Sequence, residues 1–224
     1  MQTPQKLTTD LTAENLTAIR GGRVLFRDLS FRVEAGRALC VEGANGAGKT
    51  SLLRMLAGFL VPASGKIRFG DGEDGEERGK RVGWLGHQDA VKPQMTVRES
   101  LSFFAQLYRS DGNVEDAMEA VGLSRLASLP GQYLSAGQKK RVALARLKLC
   151  GRPLWLMDEP LASLDVAGKT IAADLIAAHC ASGGVAIVAT HETLGIGCDR
   201  IQIPPPPAGG GNSIERSEIE LGEG

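Results

Sequence analysis

Long apolar runs are missing from this 224-residue chain; no stretch approaches the roughly 20 consecutive apolar residues that a membrane-spanning helix needs. Residues 1–11 carry no apolar signal core either, so neither a secretory leader nor a spanning segment is expected. Charge of one sign is also missing. With 26 Lys+Arg against 26 Asp+Glu, the chain has no overall field to recruit nucleic acid. Cysteine is sparse: Cys40, Cys150, Cys180 and Cys198 are scattered, with no CxxC pair, which points to reduced thiols and not to a disulfide framework. His87, His179 and His191 do not cluster, and no structural zinc site is expected. Glycine is abundant instead, at 29 residues. Some of it must serve loops that turn sharply or bring backbone close to a ligand.

The apolar pattern changes along the chain. Val24 and Phe26, then Leu29, Phe31 and Val33, alternate with polar residues, as do Ile67 and Phe69. Period two predicts half-buried antiparallel strands. The acidic, glycine-rich stretch 71–80 reads as an exposed hairpin or loop. Residues 38–41, 82–85, 154–157 and 185–189 are short, near-continuous apolar runs, suited to strands buried on both faces of a parallel sheet. A helix follows Gly48 and carries Leu52, Leu53 and Leu56.

From about 89 to 150 the signals are helical. Thr96 and Glu99 form a capping box, and Val97, Leu101, Phe104 and Tyr108 share a stripe. Further helices are predicted over 113–120 and 136–149. Beyond Ile203 come four prolines and a glycine-rich tail without periodicity, so a domain spanning 1–204 with a disordered 205–224 is expected.

Gly43, Ala44, Asn45, Gly46, Ala47, Gly48, Lys49 and Thr50 fit the pattern G-x-x-x-x-G-K-[ST], directly after an apolar strand and opening a helix. Glycines let backbone wrap phosphate, the helix N-terminus supplies positive potential and Lys49 adds a full charge. The Thr50 hydroxyl suits Mg²⁺. A glycine-rich turn is the competing reading, but strand–loop–helix context is what phosphate binding requires. The apolar run 154–157 ends in Asp158 and Glu159, which suit a magnesium shell and a general base for the attacking water. The run 82–86 leads to His87 and Gln88, and 185–190 leads to His191. Gln88 suits the metal or the lytic water, and His191 the γ-phosphate. Ser135, Ala136, Gly137 and Gln138 open a helix whose N-terminus makes a second anion-facing surface.

In this order the motifs resemble those of ATP-binding-cassette ATPases over nearly all of residues 10–200. Residues 43–50, with Ser51 behind them, look like the Walker A loop, Gln88 the Q-loop glutamine and Leu134–Gln138 the signature. Asp158 and Glu159 look like the Walker B aspartate and catalytic glutamate, residues 162–165 the D-loop and His191 the switch histidine. Residues 86–89, 133–146, 153–160 and 189–195 further resemble the haem-exporter ATP-binding subunits of bacterial cytochrome c maturation. The resemblance implies an α/β P-loop fold with an antiparallel β subdomain and a helical subdomain near 89–150. It implies ATP and Mg²⁺ as ligands, with Thr50, Gln88 and Asp158 toward the metal. It also implies a head-to-tail homodimer in which one chain's signature meets the other's bound ATP. Integral membrane subunits of the export complex are the implied partners, on the cytoplasmic face of the bacterial inner membrane.

Two departures stand out. The position where the family stacks an aromatic on adenine aligns with Arg20, whose guanidinium plane can also stack on a base. Ala136 replaces the commoner signature glycine. Lys139, Lys140 and Arg141 read as a solvated helix face and not as a nucleic-acid contact. An exporter of lipid, drug or lipoprotein would share every ATPase motif. A soluble cassette ATPase of DNA repair or translation should show a coiled-coil insertion, zinc cysteines or a second cassette, and a P-loop kinase or GTPase should lack residues 135–138.

Overall fold

A computed structural model describes residues 10–70, 80–86 and 91–204. The expected loop at 71–80, apart from Lys80, and the expected tail at 205–224 lie outside the described residues, as do His87 and Gln88.

The alternating segments form a three-stranded antiparallel sheet. Strand β1 (Leu11–Arg20) turns through Gly21 and Gly22 into β2 (Arg23–Val33), and both glycines sit at positive φ, as a two-residue reversal demands. Strand β4 (Ser64–Phe69) pairs along the other edge of β1, giving the order β2-β1-β4. Asn15, at φ 51°, marks a register break in β1. The inward set changes there from Leu11 and Ala13 to Leu16 and Ala18, all buried. That switch of parity hides the strand from a period-two reading.

The continuous apolar runs become a parallel sheet. Strands β3 (Ala38–Glu42), β5 (Val82–Leu85), β6 (Leu154–Asp158), β7 (Val185–Ala189) and β8 (Asp199–Gln202) lie in the order β5-β6-β7-β3-β8. Every residue of β6 and β7 is buried. Alternate residues enter two different cores, which is why the runs are apolar throughout. Leu154, Leu156, Val185 and Ile187 join the core shared with the antiparallel sheet and α1 (Lys49–Leu56). Trp155, Met157, Ala186 and Val188 join the core shared with the remaining helices.

Those helices are α2 (Val97–Tyr108), α3 (Val114–Ala120), α4 (Ala136–Leu149) and α5 (Val166–Ala181). The Thr96–Glu99 capping box opens α2 as expected, and the Asn113 side chain caps α3 by accepting from Glu115 and Asp116 N–H. Strand β8 and helix α5 were not anticipated. One expectation is corrected: residues 139–141 are not a solvated face. Lys140 is 3% exposed, and Arg141 is largely covered and pairs with Asp165 across 3.3 Å. Helix α4 runs between α2, α3, α5 and β5, so even its basic positions meet protein. Among the described residues no helix is long and apolar enough to cross a membrane.

Candidate nucleotide site

Strands β6, β7 and β3 are neighbours, and the loop after each emerges at the same edge of the sheet, where open α/β sheets bind ligands. Around that edge lies a cavity of about 1020 Å³. Its walls include Arg20, Asn45, Gly46, Gly48, Lys49, Thr50, Ser51, Asp158, Glu159 and His191, drawn from four separate segments of the chain.

The loop after β3 is shaped for phosphate. Gly48, at φ 110°, is the N-cap of α1, and a Cβ there would stand 3.1 Å from the Phe26 ring. Only glycine combines that backbone with that contact. Lys49 is buried, and its ammonium donates to the carbonyls of Gly43 (2.8 Å) and Ala44 (3.3 Å). The His191 ring reaches the same point: Nε2 lies 2.9 Å from Lys49 Nζ, 3.0 Å from Asn45 Oδ1 and 3.7 Å from Glu159 Oε1. An ammonium can only donate and an amide oxygen can only accept, so Nε2 bonds Lys49 when the ring proton is on Nδ1 and Asn45 when it is on Nε2. One imidazole thereby touches the loop, its lysine and the carboxylate beside it.

Thr50 Oγ1 donates to Asp158 Oδ2 at 2.8 Å. A hydroxyl and a nearly buried carboxylate, side by side under the phosphate loop, are the hard oxygen donors that Mg²⁺ selects, so the residues fit that ion. Glu159 follows in the left-handed region, at φ 50°, an arrangement costing about 1–2 kcal/mol for a residue with a side chain. Its N–H donates to Ala189 O at 2.8 Å, which pins the strained backbone to the end of β7. The carboxylate is thus turned out of the strand and toward His191.

Residues 135–138 lie elsewhere. Ser135 caps α4: its Oγ accepts from Gln138 N–H (3.2 Å), and Gln138 Oε1 accepts from Ser135 N–H (2.8 Å). A Cβ on Gly137 would come within 2.7 Å of Ser163 O, so glycine is needed for the loop after β6 to pack there. Ser135 and Ala136 are exposed, and none of these four residues lines the cavity.

The structure adds cavity residues that the motifs did not indicate: Leu25, Arg54, Trp84, Gly86, Tyr108 and Arg146. Arg146 is 7% exposed, donates weakly to Trp84 O (3.5 Å) and lies over the Phe104 ring, 4.9 Å from its centroid. An arginine among the buried residues of α4 was the available signal.

The sequence profile of the ABC transporter family matches residues 26–162. The "Cytochrome c biogenesis ATP-binding export protein CcmA" of Rhizobium etli is 48% identical over 193 residues, covering 83% of this chain and 90% of that protein. The protein of the same name from Rhodopseudomonas palustris is 45% identical over 194 residues, covering 86% and 97%. Among solved structures, an ABC transporter ATP-binding protein of Pyrococcus furiosus superposes with a TM-score of 0.78 at 24% identity, covering 87% of this chain and 97% of that one. A subunit of the ABC transporter complex cbiONQ of Clostridium perfringens gives 0.70 at 25% identity, covering 81% and 78%. With the phosphate loop, the paired carboxylates and the histidine gathered on one sheet edge, the chain belongs to the ATP-binding-cassette (ABC) transporter ATPase family.

Proposed function

We propose that this chain is the ATP-binding and ATP-hydrolysing subunit of a membrane export complex for cytochrome c biogenesis, with haem as the species exported. The observation that carries the reading is the shared cavity wall: Lys49, Thr50, Asp158, Glu159 and His191 converge there. The CcmA relatives, at 45–48% identity, supply the physiological setting.

In this reading the loop 43–50 and Ser51 hold the triphosphate through backbone N–H groups, and Lys49 exchanges its carbonyl and imidazole partners for phosphate oxygens. Thr50 and Asp158 hold Mg²⁺, with Gln88 as a further ligand; the ion neutralises phosphate charge when bound. Glu159 accepts the proton of the attacking water, and His191 stands by the γ-phosphate. Arg20, on the cavity wall, supports the base by stacking, a contact worth about 0.5–1 kcal/mol when partly exposed. Ser135, Ala136, Gly137 and Gln138 act on the nucleotide held by a second, head-to-tail copy.

Membrane attachment runs through partner subunits on the cytoplasmic side of the inner membrane. Phe103 and Leu107, one turn apart on α2, are 40% and 61% exposed and offer an apolar dock for them. The test is reconstitution of the chain with its membrane subunits in vesicles. ATP hydrolysis should rise with the subunits present, haem should accompany the complex, and protein-free liposomes should bind the chain poorly. Glu159→Gln should lower hydrolysis by about 10²–10⁴ while ATP stays bound. Equal binding to protein-free liposomes would remove the docking scheme, and a haem-free complex that moves another cargo would remove the haem assignment.

A further inference from the structure

Two of the four cysteines meet away from the nucleotide cavity. Cys40 lies on β3 and is 3% exposed; Cys198, partly exposed, directly precedes β8. The two strands pair in parallel with Leu39 opposite Asp199, and the two Sγ atoms lie 2.6 Å apart, closer than two unbonded sulfurs normally approach. Cys150 has a different arrangement, its thiol donating to Leu147 O at 2.8 Å. From this geometry we infer that Cys40 and Cys198 form an oxidisable dithiol, a reversible modification site at which a hydroperoxide makes a disulfide behind the phosphate loop.

The two thiols divide the work. Cys198 is the one that solvent reaches, so its thiolate attacks the peroxide; the O–O bond breaks, an alcohol or water leaves, and Cys198 becomes a sulfenic acid. Cys40 then attacks the Cys198 sulfur. The S–S bond forms, the S–O bond breaks, and the departing hydroxide takes the Cys40 proton and leaves as water. The dithiol loses two electrons and the peroxide gains them; a small-molecule dithiol reverses the step by exchange. Burial, and then the contact with Cys198, push the Cys40 thiol up to about 12, so Cys40 stays protonated and is not the thiol that meets the peroxide first.

The site's position gives the bond something to act on. Strand β3 leads directly into Gly43, and Ile203, just past β8, donates its N–H to Glu42 O at 2.8 Å and lies beneath Gly43. The segment carrying His191 runs into Cys198. A disulfide therefore ties the strand feeding the phosphate loop to the segment that carries the histidine.

The experiment treats the reduced full-length chain with stoichiometric hydrogen peroxide and maps its peptides without reductant. The expected product is a linked Cys40–Cys198 peptide, with the chain lighter by about 2 Da and the change reversed by dithiothreitol. Its unfolding midpoint should rise by several degrees, because the bond closes a loop of 158 residues. Cys198→Ser, at a partly exposed position outside the nucleotide cavity, should fold like the parent and form no disulfide. Sulfinic acid on Cys198 without the link, a link between other cysteines, or equal thiol loss in Cys198→Ser would each overturn the inference.

Discussion

Glu159 and Gly137 show how single residues set the site. Glu159 accepts a left-handed backbone, and the hydrogen bond to Ala189 holds it there; the result is a carboxylate aimed into the cleft and not along β6. Gly137 does the converse, giving up a side chain so that Ser163 O can approach. Gly137→Ala forces a Cβ against that carbonyl and should cost about 1–3 kcal/mol of stability. It should also lower hydrolysis at least tenfold while nucleotide affinity, set by the phosphate loop, stays within about twofold. Thermal unfolding, nucleotide titration and ATPase assays separate the three effects.

His179 gives a pH prediction far from the chemistry. Its ring stacks on Trp155 with centroids 3.8 Å apart, and burial pulls its pKa down from 6.5 to about 4. Between those values the unfolded chain binds a proton that the folded chain refuses. Stability is therefore complete above pH 6.5 and falls as pH drops toward 4, by about 3 kcal/mol from this group. His179→Phe keeps a ring on Trp155 and cannot titrate, so its unfolding midpoint should fall less steeply over that window. Identical slopes for parent and variant would refute the assignment.

The residues of the phosphate loop and the paired acids are legible in sequence because phosphate and magnesium tolerate few alternatives at each position. Trp84, Tyr108 and Arg146 are not legible. They reach the cavity from three segments whose convergence only the fold supplies.

At the scale of elements, legibility follows periodicity. Strands β6 and β7 are readable because burial on both faces demands continuous apolar runs. Strand β1 is not, because the irregularity at Asn15 switches which parity points inward. Helix α5 escapes for another reason: Val166, 84% exposed, and several alanines spread apolar residues around the helix, so no polar stripe marks its outer face. The basic run in α4 misled because charge normally predicts solvent, whereas here four elements cover it.

The capping box of α2 is local and readable in sequence, while that of α4 is added by the structure. They also allow a clean comparison. Thr96→Ala removes the acceptor for Glu99 N–H and should cost about 1 kcal/mol of stability, with hydrolysis per folded chain unchanged. Ser135→Ala should cost a similar amount at the start of α4; hydrolysis should fall as well if, as proposed, that hydroxyl also serves the neighbour's nucleotide. Equal activity in the two variants would leave Ser135 a cap and nothing more.

At the scale of the molecule, one chain gathers a phosphate loop, two neighbouring carboxylates and a histidine on a single sheet edge, while Ser135 and Ala136 are exposed and Gly137 and Gln138 partly exposed, all four outside that cavity. In the proposed dimer such a divided site is completed when two copies face each other. The central claim is that hydrolysis needs both chains. It is tested most directly by titrating Lys49→Ala into Ser135→Arg under conditions in which the parent is active. Each variant alone should be inactive, since every site contains one lesion. The mixed dimer restores one site that pairs an intact phosphate loop with an intact Ser135 face. Activity should rise with added Lys49→Ala toward about half the parent value at most, because one site in two is repaired. Full activity of Ser135→Arg alone, or no recovery on mixing despite dimer formation, would contradict the account.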